Sequence, residues 1–236
     1  MSEPARARHR TVLAALRALD AGFLERTQCY FGGGTRIVLA LDEYRESADI
    51  DFLCADRMGY RALRSTVSDT SLGRIARGGL KLAREVIADR YGIRTFLDVG
   101  GEKLKLEIIL EGRIGLSGGA ENGLPVPALD AASCCAEKFL ANADRWSDES
   151  ALGRDAIDLA FMAARWGRET LRAGAATATE AYGKVVASDA KCAATKMLER
   201  ANWRRRCVAA LSLTDTRTLL SGLRTLAAGR WWRQNS

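Results

Sequence analysis

The sequence predicts an α+β fold in which a mixed or antiparallel sheet with flanking helices is followed by a C-terminal helical bundle. Three observations point that way. Short runs of strand-like alternation, punctuated by glycine turns, fill the first half of the 236 residues. The segment Gly118 to Pro127 holds two of the three prolines and reads as a linker. Beyond it, stretches rich in Ala, Leu and Arg carry apolar residues at helical spacing almost to the end. The domains are accordingly expected at 1–120 and 121–236.

In chain order, Val12, Leu13, Leu16 and Leu19 give residues 9–19 a helical stripe. Cys29-Tyr30-Phe31 reads as a short strand running into Gly32-Gly33-Gly34, after which Thr35 can cap a helix to about Leu41. Residues 49–53 alternate as a strand. Further strands at 84–90, 93–99 and 103–110, separated by Tyr91-Gly92 and Gly100-Gly101, suit an antiparallel meander. After the linker, helices are expected near 128–143, 150–166, 168–187, 189–210 and 215–231.

Composition excludes several classes of function. The only histidine, His9, lies in an arginine-rich opening stretch expected to fray. A His-rich zinc site is therefore impossible, and a Ser-His-Asp triad is set aside. Six cysteines without CxxC spacing read as buried free thiols of a reducing cytosol. No apolar run approaches the roughly 20 residues of a membrane span, and no apolar segment follows the basic N-terminus as in a secretory signal. These readings predict a soluble, cytoplasmic protein with no membrane partner. The formal charge is +7, and residues 196–236 account for it, with nine Lys/Arg against Glu199 and Asp215. All five tryptophans lie at or beyond position 146, and the runs Trp203-Arg204-Arg205-Arg206 and Arg230-Trp231-Trp232-Arg233 join cations to rings. That pairing suits a nucleic acid, whose phosphates attract Lys/Arg and whose unpaired bases stack on aromatics; a solvated helix face and a tryptophan core are the plainer alternatives.

The candidate chemistry lies between Phe31 and Phe52. In a strand, Asp49 and Asp51 project from one face, where two ionised carboxylates repel unless a divalent cation relieves them. Mg²⁺ prefers such oxygen ligands, completed by substrate phosphates. Gly33 and Gly34, lacking Cβ, let the triphosphate of an NTP approach backbone N–H groups at the helix start. Glu107, which shares a strand face with Lys103 and Lys105, completes an acidic triad if its strand lies beside the Asp49/Asp51 strand. Such a triad can clamp two metals roughly 3.5–4 Å apart for in-line displacement at phosphorus.

On these residues the sequence resembles the nucleotidyltransferase superfamily with a DNA polymerase β-like palm. More narrowly, it resembles the AbiEii/AbiGii toxin family, which includes the MenT-type tRNA-modifying toxins. The motifs are Gly33-Gly34-Thr35, the run from Arg45 and Ser47 to Asp49-Ile50-Asp51-Phe52, the Lys105-x-Glu107-Ile108 strand, and Lys138 followed by Arg154-Asp155-x-x-Asp158-Leu159, all within about 25–165. The resemblance implies a palm-like N-terminal domain and NMP transfer from an NTP to an acceptor, with Mg²⁺ held by Asp49, Asp51 and Glu107. It further implies nucleotide contacts from Gly33, Gly34, Thr35, Arg45, Ser47 and Lys138, with Asp155 or Asp158 supporting the active-site face. The implied acceptor is the 3′ end of tRNA, and the implied partner a cognate antitoxin. Two alternatives keep the fold: transfer to a small cationic acceptor of the aminoglycoside type, against which the basic C-terminus argues, and an inert binding module for RNA or protein.

Overall fold

The structure, a computed structural model, describes residues 3–229 and 231–232. The chain forms two compact units, the first comprising 1–39 and 47–130 and the second 40–46 and 131–236.

The first unit contains the helices α1 (Ala7–Arg17), α2 (Ala21–Arg26), α3 (Gly33–Ala40, its last residue in the second unit) and α4 (Arg57–Arg64). Its strands are β1 (Cys29–Gly32), β2 (Ile50–Cys54), β3 (Lys81–Leu82), β4 (Ile87–Ala88), β5 (Gly92–Val99), β6 (Glu102–Leu110), β7 (Gly118–Gly119) and β8 (Ala128–Leu129). They form one mixed sheet in the order β3-β5-β6-β2-β1-β8-β7, with β4 also paired to β5. The meander expectation holds for β4, β5 and β6, although only Ile87–Ala88 of the expected 84–90 strand pairs. Strand alternation turns Phe31, Ile50, Phe52, Ile93, Leu106 and Ile108 onto one face, where they share a core with Val12, Leu16 and Leu24 from α1 and α2. Each such side chain contributes about 1.5–3 kcal/mol by leaving water. The same alternation sends Asp51, Arg94 and Glu107 to the opposite face.

Two local expectations change. The helix after β1 begins at Gly33, so Thr35 sits within its first turn instead of capping it. Strand β2 begins at Ile50, which leaves Asp49 exposed one residue before it. Asp49 thus falls outside the pleat that fixes the direction of Asp51.

The second unit is helical, with α5 (Ala131–Arg145), α6 (Arg154–Arg165), α7 (Gly167–Tyr182), α8 (Val185–Glu199), α9 (Ala201–Ala210) and α10 (Thr216–Ala228). The single helix expected over 189–210 is two, parted at Arg200, whose φ of −93° and ψ of 73° are not helical. Helix α5 packs on α7, and α10 on α6 and α8. Gly222 lets α10 lie against the backbone of Ala160 in α6, where any Cβ would collide. Phe139, Ile157, Phe161, Met162, Leu171 and Leu219 are buried in this unit.

Candidate active site

In the first unit the chain brings two carboxylate-bearing strands side by side. Strands β2 and β6 are parallel, with Asp51 in register with Glu107, and β1 runs antiparallel to β2 with Gly32 opposite Asp51. Neighbouring strands lie about 4.8 Å apart, so the two acids are immediate neighbours on one face. Gly33 follows at the start of α3 with φ +67°, a conformation that suits glycine. A Cβ there would strike the Asp51 carboxylate, which therefore fills the space that glycine leaves at the helix start.

Glu107 is bridged by two cations, Lys105 Nζ at 2.6 Å and Arg94 Nε at 3.4 Å. Arg94 is its cross-strand partner on β5, and Lys105 shares its strand face. Thr35 and Ser47 join through their hydroxyls at 2.9 Å. Ser47 also donates its backbone N–H to His9 Nε2 at 3.2 Å. This overturns the reading of His9 as part of a frayed terminus, because it is fully buried in α1. Sequence reasoning missed His9 as a support for the site: a lone histidine among arginines has no periodic signal, and its burial is a tertiary effect.

The donor set fits a hard divalent cation. Asp51 and Glu107 supply anionic oxygens, Asp49 lies exposed one residue before β2, and backbone opened by glycine adjoins Asp51. Among the described residues no three His, Cys, Asp or Glu side chains are gathered into a self-sufficient metal cluster. Two carboxylates leave the other positions of an octahedral shell to phosphate oxygens and water, the usual way Mg²⁺ is bound.

The other motif residues meet within the second unit. Asp158 is completely buried and accepts from Tyr44 Oη at 2.5 Å, Arg45 Nε at 2.7 Å, Arg45 Nη2 at 2.8 Å and Lys138 Nζ at 2.8 Å. Lys138 also reaches Asp155 Oδ1 at 2.9 Å, and Arg145 closes on Asp155 with Nε at 2.7 Å and Nη2 at 3.0 Å. Burial alone would push the Asp158 carboxyl up; Arg45 and Lys138 outweigh it and hold Asp158 well below the usual carboxylate range. Burial likewise opposes ionisation of Asp155 and Lys138, yet their opposite charges move Asp155 down and Lys138 up. Three cations against two carboxylates leave this network one positive charge in excess.

The expected ring platform is not formed by Trp203. That ring is 6% exposed, with Lys196 Nζ 4.7 Å from its centroid. Trp231 stacks on Phe139 at 5.1 Å and donates Nε1–H to the Leu226 carbonyl. An indole buries well wherever its N–H finds an acceptor, so these rings join the core. Arg204 donates to the carbonyls of Met197 and Leu198, and Lys196, Arg200 and Arg206 converge on Glu149. Arg205, Arg206 and Trp232 are exposed, whereas Arg230 and Arg233 lie outside the described residues.

Comparison with known proteins bears on the fold and the family. No curated protein matches the sequence. Two solved structures from Helicobacter pylori share the fold. One, described as a crystal structure of a protein assigned as a nucleotidyltransferase, is 17% identical with a TM-score of 0.51, covering 94% of this chain and 91% of its own. The other, JHP933, is 16% identical with a TM-score of 0.53, covering 93% and 90%. The family profile described as nucleotidyl transferase AbiEii toxin, type IV toxin–antitoxin system, matches residues 15–225. With that match spanning most of the sequence, the chain belongs to the AbiEii nucleotidyltransferase toxin family.

Proposed function

We propose that this nucleotidyltransferase transfers an NMP from an NTP to an RNA hydroxyl, with the 3′ end of tRNA as acceptor, in an Mg²⁺-dependent reaction in the cytoplasm. In this reading it is the toxin of a pair whose antitoxin is a separate partner. The observation that carries the chemistry is the register of Asp51 with Glu107 beside the glycine-opened start of α3.

The acceptor oxygen attacks the α-phosphorus in line, a new P–O bond forms, and the bond to pyrophosphate breaks. A divalent ion, when bound, would supply charge neutralisation on the phosphates and acidify the acceptor hydroxyl. Asp49 and Asp51 would hold it, with Glu107 as third oxygen ligand and acceptor of the hydroxyl proton. Gly33 and Gly34 present backbone N–H groups to the triphosphate, and Thr35 and Ser47 hold the adjoining loop through their shared hydrogen bond. Within the second unit Lys138 is bound to Asp155 and Asp158, and Arg45 to Asp158. The exposed cations Arg205 and Arg206 offer phosphate contacts to a polyanionic acceptor.

Incubation with each α-labelled NTP, Mg²⁺ and total RNA, in parallel with an aminoglycoside mixture, tests the reading. Label is expected in an RNA of tRNA size. Label on the drug instead, or in no RNA, would overturn the assigned acceptor.

A further inference from the structure

Arg36 lies on α3 three residues beyond Gly33, and its side chain is only 4% exposed. Its Nη2 donates to Glu121 Oε2 at 2.5 Å and to the Leu129 carbonyl at 3.2 Å. Its Nε and Nη1 are buried and have no partner among the described residues. A guanidinium stays charged at any working pH, and buried donors left unmade cost free energy, so a permanently half-satisfied arginine is a poor structural choice. An arriving anion would satisfy it.

The position of Arg36 indicates which anion. Helical side chains lean toward the helix N-terminus, so this guanidinium covers the first turn of α3, where Gly33 and Gly34 begin the helix. Leu129, whose carbonyl it holds, also sends its side chain to within 2.9 Å of where a Cβ on Gly32 would stand. The cation therefore sits at the β1–α3 turn. Its carboxylate partner among the described residues, Glu121, is 42% exposed and lies in the glycine- and proline-containing loop between β7 and β8. An exposed carboxylate on a loop gives up an ion pair at little cost.

We infer that Arg36 binds a phosphate of the nucleotide at the start of α3, and that Glu121 is a stand-in carboxylate which that phosphate displaces. The inference rests on the triphosphate reading of Gly33 and Gly34 given above. It assigns opposite signs to the two partners of one ion pair, which a purely structural salt bridge does not.

Equilibrium dialysis of the full chain with each α-labelled NTP and Mg²⁺, and with inorganic tripolyphosphate as competitor, reads the effect without an acceptor. Arg36→Gln should weaken NTP and tripolyphosphate binding at least about tenfold, the scale of a lost charge-assisted hydrogen bond, and Arg36→Lys should recover only part. Glu121→Gln should tighten both about threefold or more. Unchanged binding by folded Arg36→Gln, or unchanged or weaker binding by Glu121→Gln, overturns the inference while leaving the nucleotide site in place. If Arg36→Gln does not fold, Glu121→Gln alone decides, by the sign of its effect. Wild-type protein that binds no NTP would overturn the proposed function together with this inference.

Discussion

Asp158→Ala is the sharpest test of the buried ion network. Asp158 is wholly buried and accepts four hydrogen bonds from Tyr44, Arg45 and Lys138. Its removal leaves Arg45, itself 4% exposed, without a carboxylate, and Lys138 with Asp155 alone. Removing one member of a buried pair typically costs about 3–5 kcal/mol, because the surviving charge stays buried and uncompensated. For a unit of this size that corresponds to a melting midpoint lower by roughly 10–20 °C. All five tryptophans, at 146, 166, 203, 231 and 232, belong to the second unit, so tryptophan fluorescence follows that unit without averaging over the first. A pH series adds a signed check. Because the folded Asp158 carboxyl titrates below its unfolded value, its stabilisation is full above the ordinary carboxylate range, near about pH 4, and is lost as pH falls toward the folded value. Asp158→Ala should lack that component of the acid loss. Arg45→Met combined with Asp158→Leu should recover much of the stability, since an apolar pair removes the orphaned charge. An unfolding free energy for Asp158→Ala within about 0.5 kcal/mol of wild type would refute the reasoning, since that is the range of an ordinary surface substitution.

Asp49→Ala and Asp51→Ala should each abolish NMP transfer while the circular dichroism spectrum is retained; full turnover by either purified variant counts against the assignment. Gly33→Ala should also lose transfer, because its Cβ meets the Asp51 carboxylate at a φ of +67°, and should cost at least about 1 kcal/mol in urea unfolding. A normal rate for Gly33→Ala would show that this close approach is unnecessary. His9→Ala removes the acceptor of the Ser47 N–H and should lower the transfer rate about tenfold, whereas His9→Gln, which can place an oxygen near the same point, should recover most of it. Equal rates for the two His9 variants would leave the histidine with packing alone.

The site was legible where chemistry follows short-range rules. Two-residue alternation aimed Glu107 away from Leu106 and Ile108, and Gly33 declared a turn that other residues avoid. That β6 lies beside β2 is only a conditional expectation from sequence, and its parallel direction is not foreseen, since nothing local in either strand specifies a neighbour so far along the chain. Asp49 was assigned to the strand because alternation cannot show where pairing starts. The arginine run beside Trp203 suggests a stacking platform on a wet face, with a tryptophan core as the plainer alternative; in α9 the ring takes the core position while Arg205 and Arg206 face out.

Least legible was the partnership of Arg45 with Asp158, 113 residues apart. From sequence alone the resemblance gives Arg45 a nucleotide contact and Asp158 a place supporting the active-site face, and nothing local pairs the two. The structure joins the two, and the reason lies in the loop that precedes β2. Asp42 and Glu43 take left-handed φ values of +59° and +51°, an unfavourable conformation for residues with side chains. Such a turn persists only if its surroundings over-determine it. Here the Tyr44 ring stacks on Phe161 at 3.8 Å, the Tyr44 carbonyl accepts the Thr214 N–H, and Glu46 donates its N–H to Leu211. Arg45 adds two charge-assisted bonds to a carboxylate shut away from water. The segment immediately upstream of Ser47 and Asp49 is therefore held by residues far along the chain. Because Asp158 fixes that segment, its substitution should be felt in the fold before it is felt in the chemistry.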